Sequence, residues 1–235
     1  MMKTYRICDL VVNMDLRYPL AIRRSEKYLI EDSDVCDILL NYVPDKIQKL
    51  KEMAPNLSEE ECEVVSATTY FYTKLLEFNG CMLHSSAVAV DNKAYLFSAP
   101  SGTGKSTHTK QWRKLFGDRA SIINDDKPAI RIIDGKIYVY GTPWSGSSDL
   151  NLNVKVPLQG ICMLERSEEN YIKPIEDKSV VIYEFMNQTI RPYFEYKMDM
   201  FLDILDTIVT NIPVWRMGCN ISTDAAKLAY ETMSK

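Results

Sequence analysis

The sequence predicts an α/β fold in which helices flank a mixed β-sheet. Three observations carry that expectation. Strand-like and helix-like segments are intermixed along the chain rather than gathered into separate blocks. Two short turns, Asp91-Asn92 and Asp134-Gly135, separate apolar runs and mark antiparallel hairpins, so the sheet is not purely parallel. An apolar strand, Lys93 to Phe97, leads into a glycine-rich loop that opens a helix. With 235 residues, 46% of them hydrophobic and 26% charged, the chain can bury a sizeable core and is not disordered.

Taken in order, Tyr5 to Val12 and Ala21 to Ile30 read as short strands, and Asp34 to Tyr42 as a short helix. A firmer helix begins at Ser58. Ser58 and Glu61 have the spacing of a capping box, in which hydroxyl and carboxylate satisfy each other's orphan amides. Val65, Tyr72, Leu75 and Leu76 recur at helical spacing as its core stripe, and Asn79-Gly80 stops it. Ser85 to Val90 and Lys93 to Phe97 form the first hairpin. A helix over Ser106 to Phe116 ends at Gly117, and Ala120 to Asn124 is a short strand. Ala129 to Ile133 and Lys136 to Tyr140 form the second hairpin. Leu158 to Glu165 is a buried strand. Helices follow near Ser179 to Gln188 and Met198 to Asn211, then a strand at Val214 to Met217 and a last helix from Thr223. Residues 1–80 stand apart from the rest, either as a docking region for substrate or partner or as part of the same domain; residues 81–235 carry the core.

Composition excludes several functions. The formal charge is −4, a poor match to a nucleic-acid partner. No apolar run reaches about 18 residues, so no membrane association is expected. The charged N-terminus lacks a signal core, and a cytoplasmic location follows as an expectation. Six cysteines (Cys8, Cys36, Cys62, Cys81, Cys162, Cys219) form no C-x-x-C pair, and the two histidines complete no zinc set.

The segment Ser101-Gly102-Thr103-Gly104-Lys105-Ser106-Thr107 lies between strand and helix. Glycines there let successive amides turn inward onto phosphate oxygens, and the helix adds its positive dipole end. Lys105 supplies a mobile ammonium for the β- and γ-phosphates, and Ser106 a hydroxyl for Mg²⁺. Ser98 reads as standing at the place of the motif's usual first glycine. Twenty residues after Lys105, Ile122-Ile123-Asn124 runs into Asp125-Asp126. Adjacent carboxylates repel, and Mg²⁺ relieves that repulsion. One Asp can hold metal while the other orients or deprotonates an attacking hydroxyl; the sequence does not say which. His84 sits just before the hairpin that delivers the loop, within reach of phosphate or an acid. His108, in the first turn of the helix, reads as structural.

These residues resemble the HPr kinase/phosphorylase family, and more distantly ATP-dependent phosphoenolpyruvate carboxykinase. The resemblance is specific over residues 81–128, loose beyond, and absent from 1–80. It is closest to small HPr-kinase-like proteins of bacterial natural-product gene clusters, some of which phosphorylate a peptide serine. It implies a P-loop core of that type, ATP and Mg²⁺ as cofactors, phosphate binding by Lys105, metal binding by Ser106, Asp125 and Asp126, and His84 beside the γ-phosphate. Ser85 replaces the glycine that usually follows the family histidine, and Lys-Ser-Thr replaces Lys-Ser-Glu. Neither HPr as substrate nor the reverse activity is therefore carried over.

On the acceptor side, Trp144, Ser145 and Gly146 lie in a small, polar, turn-rich segment suited to cover a ligand. Arg191, between two helices, could clamp phosphate or cap a helix; Arg131 and Arg166 are weaker candidates. The expected activity is ATP- and Mg²⁺-dependent transfer of the γ-phosphate to a hydroxyl, first a serine of a peptide or protein. A small hydroxyl metabolite such as free serine, or a nucleotide-binding module without transfer, are the alternatives. The nucleotide base and the oligomeric state, including a homo-oligomer, are left open.

Overall fold

The computed structural model describes residues 2–31 and 33–235. The strand order along the chain is β1 (Met2–Ile7), β2 (Leu10–Asp15), β3 (Ile38–Leu40), β4 (Gly80–Met82), β5 (Ser85–Val90), β6 (Lys93–Ser98), β7 (Ala120–Asn124), β8 (Ala129–Ile133), β9 (Lys136–Tyr140), β10 (Lys155–Arg166), β11 (Tyr171–Pro174) and β12 (Val214–Cys219). The helices are α1 (Pro19–Ser25), α2 (Pro44–Met53), α3 (Glu59–Leu75), α4 (Lys105–Phe116), α5 (Lys178–Met186), α6 (Glu195–Asn211) and α7 (Thr223–Met233).

The fold is mixed α/β, with helices flanking a mixed sheet. Among the described residues, the large sheet runs β4-β8-β9-β10-β6-β5-β7, with β12 beside β10 and β11 beside β12. Strand β10 ties the sheet together. Its first residues, Lys155 to Pro157, pair antiparallel with β9, while Leu158 to Met163 pair parallel with β6 and Ile161 to Arg166 parallel with β12.

Side-chain alternation builds the layers. Ala87, Ala89, Ala94, Leu96, Ile161 and Met163 face one core with α5 and α6. Their neighbours Val88, Val90, Tyr95, Phe97, Cys162 and Leu164 face the opposite core, closed by Trp112 of α4 and Ala225, Ala226 and Ala229 of α7. Both faces are covered, so these strands read as nearly continuous apolar runs. A separate three-stranded sheet, β1-β2-β3, packs on α3. Its core includes Ala129, Tyr140 and Trp144, so residues 1–80 share a core with the second hairpin.

The two predicted hairpins form, with Ser85 opposite Ser98 and Ala129 opposite Tyr140. The Ser58–Glu61 capping box is also present at the start of α3.

The N-terminal 50 residues differ from the sequence expectation. Tyr5 to Val12 is two strands, because Cys8 and Asp9 take φ of +56° and +62° and turn the chain without a glycine. Ala21 to Ile30 is helical as far as Tyr28, begun by Pro19 at the first helical position, where a missing N–H costs nothing, and only Leu29 bridges to Tyr5 of β1. Asp34 to Tyr42 holds strand β3 instead of a helix: pairing with β2 overrides the weak local pattern. The sequence reading missed α2, β4 and β11. Val65, expected in the core stripe of α3, is 38% exposed; Cys62, Phe71, Tyr72 and Leu75 form the buried face. All six cysteines are unpaired. No described helix is long and apolar enough to cross a membrane.

Candidate functional site

The glycine-rich loop spans the gap between β6 and α4. Gly102 and Gly104 take φ of +79° and +124°, and a Cβ at either would meet nothing within 4 Å. Backbone conformation, not crowding, therefore demands glycine there. Counted back from Lys105, the place of the motif's first glycine is Ala99 and not Ser98, and the φ of Ala99 is not left-handed, so no glycine is needed there. Lys105 is buried, and its Nζ donates to the carbonyls of Ala99 at 2.8 Å and Pro100 at 3.4 Å. Burial lowers its pKa, and the nearby carboxylates of Asp126 and Asp125 oppose that shift. From the other side Arg166 donates to the carbonyls of Gly102 at 2.6 Å and Thr103 at 3.2 Å. Its fork fixes two peptide planes of the loop rather than reaching over a phosphate.

Asp125 and Asp126 leave the end of β7 in different directions. Asp125 is buried and accepts from Ser86 Oγ at 2.6 Å; Ser86 in turn lies 2.7 Å from Thr109 Oγ1 on α4. Asp126 lies 3.0 Å from His84 Nε2 and pairs with Lys127 through its second oxygen. Burial alone would raise the Asp126 carboxyl, but His84 and Lys127 outweigh it and hold its pKa at about 2. Asn124, fully buried, shapes the turn. Its Oδ1 accepts the N–H groups of Asp126 and Lys127, and its Nδ2 donates to Thr142.

These residues line one open cavity of about 400 Å³. His84, Ser101, Gly102, Gly104, Lys105, Ser106, Thr107, Asp125 and Asp126 share its wall with Ser145 and Gly146. Gly146 has φ of +69°, and a Cβ there would sit 3.0 Å from Asp126 Cβ, so the 141–149 loop closes directly over the second carboxylate. A second cavity of about 600 Å³ lies across the loop, sharing Gly102, Gly104 and Thr107; it is also lined by Thr103, Arg166, Cys219 and Ile221.

Three sequence candidates sit elsewhere. Trp144 is buried against Phe71 and Tyr72, with ring centres at 4.7 and 5.7 Å, and anchors its loop instead of facing the cavity. Arg191 is exposed and lines neither cavity. Arg131 donates to the carbonyls of Phe78 and Cys8, which commits its fork to the backbone. His108 is buried beside Trp112, whose Nε1 donates to it at 3.1 Å, and burial lowers its pKa to about 4.

The sequence reading missed two sets of residues. Gln188, just past α5, places Oε1 3.1 Å from His84 Nδ1, and its carbonyl accepts the His84 backbone N–H at 2.6 Å. A glutamine 104 positions away gives no local signal. Residues 1–80 also reach the site. Arg24 donates to the Gly146 carbonyl at 2.8 Å, and Tyr28 O–H donates to Asn151, which holds Ser145. The Tyr72 O–H donates to the Lys127 carbonyl and lies 3.0 Å from Thr142 Oγ1.

The donor set fits a hard divalent cation with few protein ligands. Two carboxylates and the Ser106 hydroxyl share one wall, and among the described residues no cluster of three or more His, Cys, Asp or Glu side chains forms a closed metal cage. Phosphate oxygens and water commonly complete such a site.

No family model matches the sequence, and no curated protein matches it. Among solved structures, the Hpr(Ser) kinase/phosphatase from Coxiella burnetii matches with a TM-score of 0.34 and 12% identity, over 64% of this chain and 94% of that one.

Proposed function

We propose that the chain is an ATP- and Mg²⁺-dependent kinase of the HPr-kinase-like type that phosphorylates a serine hydroxyl in a peptide or protein. One observation carries the reading: the glycine loop, Lys105, both aspartates and His84 line a single cavity. The resemblance of residues 81–128 to HPr kinase points the same way.

In this reading the loop amides and Lys105 hold the β- and γ-phosphates, and the nucleoside extends into the larger cavity across the loop. Ser106 and Asp125 would hold Mg²⁺, with Asp126 as the acceptor-side acid. Bound there, the cation would neutralise charge that develops on the transferring phosphoryl group. The acceptor oxygen attacks the γ-phosphorus in line, the bond to the β–γ bridging oxygen breaks, and ADP leaves with that electron pair. The acceptor's proton passes to the Asp126–His84 pair. A carboxylate held at about 2 is a weak base, which suits orientation of a hydroxyl more than its early deprotonation. A loose phosphoryl-transfer transition state asks for little more, since proton removal comes late. Lys105 leaves its loop carbonyls for phosphate, exchanging two neutral acceptors for charged ones.

The test is transfer of labelled γ-phosphate from Mg·ATP to serine-containing peptides and to free serine. Transfer to peptide is expected, falling roughly 10³-fold in Lys105→Ala and in Asp126→Ala. Transfer to free serine alone would move the acceptor to a small metabolite. Tight nucleotide binding with no transfer to either would make the chain a regulatory module.

A further inference from the structure

The face of α3 that misses the core meets α2, and the two helices enclose an apolar groove of about 400 Å³. Lys46, Lys49, Leu50 and Met53 line it from α2, Val65 and Tyr70 from α3. Met53, 83% exposed, forms the rim of this groove. The groove continues into a smaller hollow beside Leu39, Leu40 and Val43, sharing Lys46 and Tyr70. That hollow ends at β3, the last strand of its sheet, whose outer edge has no strand partner among the described residues. Asp37 donates its N–H to Val11 of β2. By the two-residue period of a strand, the peptide groups of Ile38 and Leu40 then point outward, to the open edge.

The charge on this surface has one sign. Lys46 and Lys49 are the ionic residues lining the groove and its extension, and no acid joins them, although acids outnumber bases 32 to 28 in the chain. Lys46 Nζ lies 5.6 Å from the centre of the Tyr70 ring, which keeps the ammonium over the groove. An open strand edge supplies main-chain pairing, an adjacent apolar trough supplies side-chain selection, and two ammonium groups supply a preference for negative charge.

We infer that the α2–α3 groove and the free edge of β3 dock an extended peptide segment that carries apolar side chains beside carboxylates. The segment adds to β3 as an extra strand. Its apolar side chains fill the trough between Leu50, Met53 and Val65, and its carboxylates meet Lys46 and Lys49. None of these residues lines the phosphate cavity, so docking here is separate from the reacting centre.

The test uses fluorescein-labelled peptides of ~12 residues and the full chain without nucleotide, so that it stands apart from the kinase reading. An alternating Leu–Glu peptide is expected to bind. Its affinity should fall roughly tenfold in the double variant Lys46→Glu, Lys49→Glu, and weaken with salt. Hydrogen exchange of the Ile38 and Leu40 amides should slow on saturation. The three substituted positions, Lys46, Lys49 and Val65, are exposed, and an unchanged melting temperature of the double variant checks that the fold is intact. A Leu–Lys peptide that binds equally well, a Ser–Glu peptide that matches Leu–Glu, or unaltered exchange at β3 overturns the inference. Sedimentation of the free chain decides the remaining occupant. A dimer that Val65→Arg dissociates assigns the groove to a second copy and sinks the peptide reading.

Discussion

His84 faces an acceptor on each side, Asp126 Oδ1 at 3.0 Å and Gln188 Oε1 at 3.1 Å. A neutral imidazole has one N–H to give; serving both oxygens takes the imidazolium, or a turned Gln188 amide that donates instead. In the proposed reaction Gln188 would be a positioning residue, acting through His84. Gln188→Leu is expected to lower kcat about tenfold, the worth of one hydrogen bond of about 1.4 kcal/mol, with KM for ATP little changed. Gln188→Glu, which keeps an oxygen at that place, should restore most of the rate. Equal losses in both variants would mean that no accepting oxygen is used there, as with a turned amide or a packing role. Asp126 makes a second prediction at this scale. Its pKa is depressed from the ordinary carboxylate value to about 2, so the ionised form is stabilised by the fold. The contribution, at most about 2 kcal/mol, is present above pH 4 and lost as pH falls through 2. Urea unfolding of Asp126→Asn should show that deficit at pH 7 and a shrinking difference below pH 4. A pH-independent difference would detach the effect from ionisation.

At the scale of elements, the glycine loop depends on backbone shape. Gly104 has φ of +124° with open space where a Cβ would go. Gly104→Ala therefore costs conformational strain of about 1–2 kcal/mol and no clash. The melting temperature should drop by roughly 3–6 °C. Binding of Mg·ATP, measured by calorimetry, should weaken far more than this drop implies, because in the proposed reading the amides at Gly104 are the ones that hold phosphate. Proportionate losses would mean that the loop does not grip the nucleotide. The hairpins β5–β6 and β8–β9 were legible because their turns, Asp91-Asn92 and Asp134-Gly135, hold left-handed φ with residues suited to it. The β1–β2 hairpin was not, because its Cys8-Asp9 turn uses a residue with no such preference. Its Cys8 carbonyl is instead caught by Arg131, 123 residues away.

For the molecule as a whole, the N-terminal sheet and the second hairpin share one apolar cluster, with Tyr5, Val12 and Phe71 beside Ala129, Tyr140 and Trp144. Arg131 ties them further by donating to carbonyls on both sides of α3. Heating is expected to unfold residues 1–80 and 81–235 in a single transition. Arg131→Met, which strands two carbonyls, should shift that whole transition downward by about 2–4 kcal/mol. A scanning calorimetry trace with an early separate peak for the N-terminal part would contradict this. The shared core also explains how residues 1–80 reach the site. Arg24, Tyr28 and Tyr72 hold the loop carrying Ser145 and Gly146 over Asp126.

By itself the sequence determined the glycine-rich loop between β6 and α4, the paired acids, the two central hairpins and the capped start of α3. Each is written in a few adjacent residues whose backbone needs or local hydrogen bonds are specific. Tertiary structure alone decided the shape of the first 50 residues, the partner of His84, the burial of Trp144 and the structural use of Arg131. In those cases the deciding partner is far along the chain, and a buried polar group or aromatic ring takes whatever neighbour the packed core brings to it.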